Sequence, residues 1–331
     1  MMPKGTLLLS RRDVAALLSL DECIAAVEQA FKSYAEGRSP PPGALGIRAR
    51  DGGFHIKAAG LELARPYFAA KVNGNFFQNK QRFGLPNIQG IIALCDAENG
   101  YPLAVMDSIE ITIIRTGAAT GVAAKYLARP DATVATVAGC GNQGRISLRA
   151  LATVRRLEKV YAFDIDHEQA ERYADELSSE LRIGVTAVRD LSEAVGRSDI
   201  CVTCTPSKQP YLNRSDVIPG AFIAAVGADN EEKQELDPRL IAASKVVVDS
   251  LEQCAAIGDL KLALKQGLMT KADAHAELGE VIAGRKPGRE NREEVIVFDS
   301  TGTALQDAAA AAIVYEKAVA ADRGMVLDFA E

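Results

Sequence analysis

The segment that most constrains this chain runs from Ala132 to Gly144, A-T-V-A-T-V-A-G-C-G-N-Q-G. Its β-branched residues alternate with alanine and predict a buried strand. The strand runs into Gly139-x-Gly141-x-x-Gly144. A segment with apolar residues Ile146, Leu148, Leu151 and Val154 at helical spacing follows at once. Roughly twenty residues past the last glycine, Val160 to Asp164 reads as a second strand ending in a carboxylate. Gly139 permits a tight turn, Gly141 carries no side chain to hold the backbone away from a pyrophosphate, and Gly144 lets the helix approach the sheet. The helix N-terminus offers unpaired N–H groups and partial positive charge to that anion. Asp164 is placed to accept hydrogen bonds from a ribose 2′-hydroxyl and to repel a 2′-phosphate, which predicts NAD(H) over NADP. Asp166 is a second carboxylate nearby, and a purely structural glycine turn is the alternative reading of the triplet.

With 331 residues the chain has room for two domains. Its hydrophobic content of 48% and charged content of 25% are those of an ordinary globular protein. The net charge is −6 and no basic patch is interleaved with aromatics, which argues against a nucleic-acid partner. No apolar run approaches the roughly 20 residues that span a membrane. The short run Leu7 to Leu9 is cut off by Arg11, Arg12 and Asp13, unlike a signal peptide. Six cysteines scattered through apolar segments predict reduced thiols and a cytoplasmic protein. Cys201-x-x-Cys204 could be a metal or redox pair, but it lies in a predicted strand, where positions three apart face opposite sides. His55, His167 and His275 have no ligand spacing to one another, so no metal site is expected.

Taken in order, a short helix starts at Ser10 to Asp13. A longer one is capped at Asp21, with Ile24, Val27, Phe31 and Tyr34 on one face and Gly37 closing it. A stiff connector, Ser39 to Gly43, leads to strand-like pieces at 44–50, 54–58 and 67–72. A turn is expected at 51–53, and turns or a loop at Asn73-Gly74 and 79–84. Segments 90–96 and 102–106 around Asn99-Gly100 read as a hairpin. The first third is therefore α+β with antiparallel pairing. A helix of small residues, 109–128, leads into further strands at 199–205, 221–226, 245–249 and 295–298 with helical segments among them, the pattern of a doubly wound parallel sheet. The alanine-rich stretch 304–321 is a final helix expected to pack back on the first domain.

In open parallel sheets ligands bind beyond the carboxyl ends of the strands. That singles out Thr205 to Ser207, Val226-Gly227-Ala228-Asp229 and Asp299 to Gly302. Asp229 is either a turn or cap aspartate or a working acid. In the first domain Lys71, Lys57 and Arg115 each sit in apolar or small-residue surroundings, where a cation is costly unless it is paired or faces a cleft. Each could be a simple edge position. Together they suggest an anion site opposite the nicotinamide, with an α-carboxylate as guest.

These segments also form a recognisable set: Lys71-Val-Asn-Gly74, Ile114-Arg-Thr-Gly-Ala-Ala119, Lys125-Tyr-Leu-Ala-Arg-Pro130, Gly139-Cys-Gly-Asn-Gln143, Val226-Gly-Ala-Asp229 with Lys233-Gln-Glu-Leu236, and Phe298-Asp-Ser-Thr-Gly302 with Gln306-Asp307. Along nearly its whole length the chain resembles the ornithine cyclodeaminase/μ-crystallin family. Its C-terminal third, with Gly279 to Gly284, looks most like the alanine dehydrogenase branch. The resemblance implies a homodimer built from two domains. An NAD-binding Rossmann-type domain (129–303) joins an α+β substrate-binding and dimerisation domain (1–128), which the C-terminal helix (304–331) completes. By the same resemblance Lys71 and Arg115 hold the substrate carboxylate, Asp229 is the acid/base at the amino or imino nitrogen, and Lys233 lies at the substrate edge. Asn87, Arg115, Asn142, Gln143, Asp164, Thr205, Val226, Gly227, Ala228 and Ser300 line the dinucleotide with the three glycines.

The chain departs from the family pattern in two places. An arginine common just after the connector prolines is replaced by Pro41-Pro42-Gly43, leaving Arg48 or Lys57 to complete the clamp. An acid that cyclodeaminases place in the following stretch is replaced by Ala58-Ala59. The leading expectation is thus an NAD-dependent oxidoreductase at the Cα–N bond of a small amino or imino acid, an amino acid dehydrogenase or imine reductase. The alternatives are an ornithine or lysine cyclodeaminase with catalytic NAD, and a non-catalytic crystallin-like binding protein.

Overall fold

The computed structural model describes residues 5–329. β1 (Thr6–Leu9) is followed by the helices Arg11–Leu17 and Leu20–Ala35, then β2 (Gly43–Ala49), β3 (Gly52–Glu62), β4 (Pro66–Asn75), the short helix Asn79–Phe83, β5 (Ile88–Asp96) and β6 (Pro102–Asp107). The helix Ile109–Leu127 follows. Then come β7 (Val134–Ala138), β8 (Lys159–Phe163), β9 (Gly184–Ala187), β10 (Ile200–Thr203), β11 (Phe222–Ala225), β12 (Lys245–Val248), β13 (Ala276–Glu277) and β14 (Ile296–Asp299), and finally β15 (Met325–Leu327). The chain divides into two compact units, one running to Arg115 and resuming at Thr303, the other Thr116–Gly302. The division falls inside the helix Ile109–Leu127 rather than at its end, because the second half of that helix packs on Asn142–Val154. A Cβ on Gly117 would come within 2.6 Å of the Ile146 side chain.

The first unit holds a seven-stranded sheet in the order β15-β1-β6-β5-β4-β3-β2. Pairing is antiparallel from β2 to β6, as expected, but β1 runs parallel to β6 and antiparallel to β15. The Leu7 to Leu9 run is therefore a strand. One face carries the rows Lys57–Lys71–Ile92–Met106 and Ala59–Ala69–Leu94–Ala104. The helix Ala304–Ala320 packs on β3, β4 and the helix Leu20–Ala35, and its alanines at 308–312 are buried. Small side chains let it lie close to the strands. The opposite face carries the row Leu45–Ile56–Val72–Ile91 and is open.

Several local expectations change. Asn73-Gly74 is no turn: β4 runs through it, and Asn73 is buried with its side-chain oxygen accepting from Ser108 Oγ at 2.6 Å. Residues 79–83 form a short helix closed by left-handed Gly84. The long N-terminal helix is capped by Ser19, reciprocally with Glu22, not by Asp21.

The second unit is an eight-stranded parallel sheet, β13-β12-β14-β11-β10-β7-β8-β9, the doubly wound Rossmann-type arrangement. Its central strands are apolar on both faces, as a sheet covered by helices on each side requires. Cys201 lies buried in β10, and Cys204 donates its thiol to Gly139 O at 3.1 Å. Among the described residues no helix is long and apolar enough to cross a membrane.

Candidate active site

The glycine turn sits where β7 gives way to the helix Asn142–Val154. Two of its glycines answer to the fold itself. Gly139 has φ +104°, and a Cβ there would lie 2.9 Å from Cys204 O; a Cβ on Gly144 would lie 2.1 Å from Gly139 O. Gly141 is different. Its φ is −83°, which any residue adopts, and nothing lies within 4 Å of where its Cβ would be. It is the N-cap of a helix with no side-chain cap, so open space faces the unpaired N–H groups and the positive end of the helix dipole. Gln143, in the first turn, has a buried side-chain oxygen without a hydrogen-bond partner.

Asp164, one residue past β8, accepts from Cys140 N at 2.8 Å and Asp166 N at 3.1 Å, tying it to the glycine turn. Asp166 accepts from Gln169 N and caps the helix His167–Leu181. The two acids are thereby separated: Asp166 serves a helix end, and Asp164 is presented at the turn.

Beyond β10, β11 and β14 the strand ends carry Thr205, Gly227 to Asp229, and Ser300. Val226 and Ala228 are buried. Asp229 caps no helix. It sits in an irregular loop with its carboxylate 2.8 Å from Lys233 Nζ and its side chain 46% exposed. Asn230 Oδ1 accepts from the N–H groups of Glu232 and Lys233 and fixes the turn between them. Thr205 donates its hydroxyl to Glu235 at 2.7 Å, and Ser300 donates its own to Asp249 at 2.8 Å.

In the first unit Lys71 on β4 is 3% exposed. Its ammonium lies 2.7 Å from Asp307 Oδ2, and Arg115 Nε donates to Asp307 Oδ1 at 3.1 Å. Arg115 Nη1 donates to Gln306 Oε1 at 2.8 Å. Two buried cations thus face one buried carboxylate. Burial pushes Lys71 down to about 7, against the pull of Asp307, and neighbouring Arg115 and Lys57 push the same way. Burial would raise Asp307, but Lys71 and Arg115 outweigh it and hold it below the ordinary carboxylate value. Lys57 stands directly across from Lys71 on β3. Arg48 is on the same face but pairs with Gly53 and, through it, Asn75, so it lies roughly 13 Å along the strands and two strand spacings, about 10 Å, across from Lys71. Asn87 lies in the loop before β5, where its side-chain oxygen accepts from Lys80 N at 3.2 Å.

Residues 4–322 match the model of the ornithine cyclodeaminase/mu-crystallin family. The chain belongs to that family. It is 39% identical over 324 residues to an alanine dehydrogenase of Archaeoglobus fulgidus, covering 98% of each chain. Its structure is similar to an archaeal alanine dehydrogenase dimer with bound NAD (TM-score 0.94, 39% identity, 98% and 99% covered). It is also similar to a Δ(1)-pyrroline-2-carboxylate reductase of Thermococcus litoralis in complex with NADH and L-proline (TM-score 0.91, 37% identity, 97% and 100% covered).

Within this family member two residues stand out to which the sequence alone attached no role. Asp307 entered only as part of the Gln306-Asp307 motif in the alanine-rich helix, and Glu235 only as part of Lys233-Gln-Glu-Leu236. An acid in the first turn of a helix built mainly of alanine must have a partner if that turn is buried, and that was the available sign for Asp307.

Proposed function

We propose that the chain is an NAD(H)-dependent oxidoreductase acting at the Cα–N bond of a small amino or imino acid, of the alanine dehydrogenase or imine reductase kind. The observation that carries this reading is Gly141. The fold does not need a glycine there, whereas a pyrophosphate approaching the helix N-terminus does. Gly139, Gly141, Asn142, Gln143 and Gly144 would hold that group, with Asp164 at the ribose. Thr205, Val226 to Ala228, Ser300 and Asn87 are assigned to the rest of the dinucleotide by family likeness. When bound, NADH supplies the hydride.

The residues then divide the work by charge. Lys71 and Arg115 take the substrate carboxylate, with Lys57 the third cation by its place across the strand, and Arg48 is set aside by distance. An arriving carboxylate offsets the burial that lowers Lys71 and keeps it protonated. Asp229 is assigned to the cationic nitrogen by family likeness. Lys233 pairs with the Asp229 carboxylate until that nitrogen replaces it. Asp229 would stabilise the nitrogen while it is cationic and would exchange the proton of the amine once Cα is reduced.

The open face of the first sheet, with Leu45 56%, Ile47 49% and Ile91 50% exposed, suits a second copy of the chain. Ile47→Lys should then sediment as a single chain; an unchanged particle would take this face out of the contact. For the chemistry, Asp229→Asn should lower turnover about 10²–10⁴-fold with NADH still bound, and undiminished turnover would remove Asp229 from the mechanism. Ammonia released from ornithine or lysine with no net change in NADH would mean the cyclodeaminase reaction instead.

A further inference from the structure

Three carboxylates in the second unit are buried and linked in series. Asp299, the last residue of β14, accepts from the backbone N–H of Asp259 at 3.1 Å and of Leu260 at 2.9 Å. Asp259 in turn accepts from the backbone N–H of Glu235 at 2.7 Å and of Leu236 at 2.9 Å. Glu235 accepts from Gly227 N at 2.9 Å, Thr205 N at 2.7 Å, Thr205 Oγ1 at 2.7 Å and Tyr211 Oη at 2.8 Å. Each side chain therefore grips the backbone of the residue that carries the next. The last one grips two strand-end loops at once. Ser300 follows directly on Asp299, so the three strand-end segments assigned above to the dinucleotide hang from one ladder.

The end of that ladder bears on Asp229. Within the loop from Gly227 to Glu235 the backbone pairs only at Lys233 N to Asn230 O among the described residues, and at its C-terminal end Gln234 N donates to Ser207 O at 2.9 Å and Tyr211 N to Glu235 O at 2.9 Å. The loop's two ends are joined by Gly227 N to Glu235 Oε2, and its middle by Asp229 to Lys233. The fit at Gly227 is close: a Cβ there would lie 2.3 Å from Glu235 Oε2. Lys261 adds a second tie, donating its ammonium to Lys233 O, to Gln234 Oε1 at 3.2 Å and to Gly258 O at 3.2 Å. A carboxylate buried this completely is costly, and every donor it meets is uncharged. A glutamine could fill the volume, but only a carboxylate accepts at both oxygens, and all four contacts are donors.

The geometry points to Glu235 as a positioning residue that locks the Thr205 loop to the Gly227 loop and so sets where Asp229 stands. This rests on the functional reading above for Asp229, not for the ladder itself. The test uses the full-length protein and the variants Glu235→Gln and Tyr211→Phe. Glutamine turns an N–H toward a donor. Phenylalanine removes one donor of four and leaves the packing intact, so it serves even where the first variant does not fold. Glu235→Gln should lower kcat about a hundredfold, as displacement of a reacting group by an ångström does, and, because the Thr205 and Gly227 loops are also assigned to the dinucleotide, should weaken NADH by a smaller factor. Tyr211→Phe should move kcat in the same direction by less. Hydrogen exchange of the cofactor-free protein should quicken in 204–212 and 226–236 and not in β7 or β8.

Wild-type kcat in a folded variant, or exchange that quickens evenly across the unit, would overturn the assignment. If the wild-type protein itself turns over no amino or imino acid, the functional reading fails, and the exchange pattern still decides whether Glu235 locks the loops.

Discussion

The two compact units bury charge by opposite means. In the first, Lys71 and Arg115 share Asp307, opposite charges in direct contact. In the second, Glu235, Asp259 and Asp299 have no arginine or lysine in salt-bridge contact among the described residues and are stabilised by backbone N–H groups and hydroxyls. The first arrangement leaves more positive charge than Asp307 cancels, and a substrate carboxylate can use the remainder. In the second, Glu235 and Asp299 accept at both oxygens, and Asp259 takes both of its N–H bonds at Oδ1 while its Oδ2 has no hydrogen-bond partner. Buried cations that outnumber their counter-ion point to binding, and buried carboxylates answered by backbone N–H groups and hydroxyls point to positioning.

Substitutions that remove charge without changing shape should separate the two. Asp307→Asn leaves two cations buried without a counter-ion and should cost about 3–5 kcal/mol of stability. Asp259→Asn keeps the oxygen that accepts both of its N–H bonds and should cost about 1 kcal/mol or less. Denaturant midpoints for the pair check the contrast, and equal losses would erase it.

Lys71→Met should raise the KM for the amino or imino acid about tenfold or more, in line with a lost charge-assisted bond, and leave NADH affinity unchanged. The same lysine predicts a pH dependence. Burial lowers it from 10.5 to about 7, so between those values the unfolded chain binds more protons than the folded one. Its contribution is fully present above about 10.5 and lost as pH falls through about 7. Stability of the wild-type protein relative to Lys71→Met should therefore rise with pH across that window. A flat difference would mean that Asp307 keeps the lysine charged throughout.

The smallest expected effect lies in the glycine turn. Asp164→Ser should weaken NAD binding about tenfold and narrow the preference over NADP. An unchanged preference would return the choice of cofactor to other residues.

The parallel sheet and the dinucleotide turn were legible because their signs are local: a strand, three glycines, a helix and an acid within about thirty residues. Asn73-Gly74 misled for the opposite reason. The dipeptide usually marks a turn, but Asn73 is held inside β4 by Ser108, 35 residues away. β1 is four residues long and pairs only with distant strands, so its leucines could not declare themselves. Lys71 was recognisable as a misplaced cation, yet its partner Asp307 lies 236 residues downstream. Local pattern reveals which residue needs a partner, and only the fold reveals the partner.

The most direct test of the account is the path of the hydride. The protein would be supplied with NADH carrying deuterium at C4 of the nicotinamide on the transferred face, together with a 2-oxo acid and ammonia or methylamine. The account predicts NADH consumed one for one with amino acid formed, and one deuterium at Cα of the product. Product without deuterium at Cα, or NADH bound and never consumed with any substrate of this class, would contradict it.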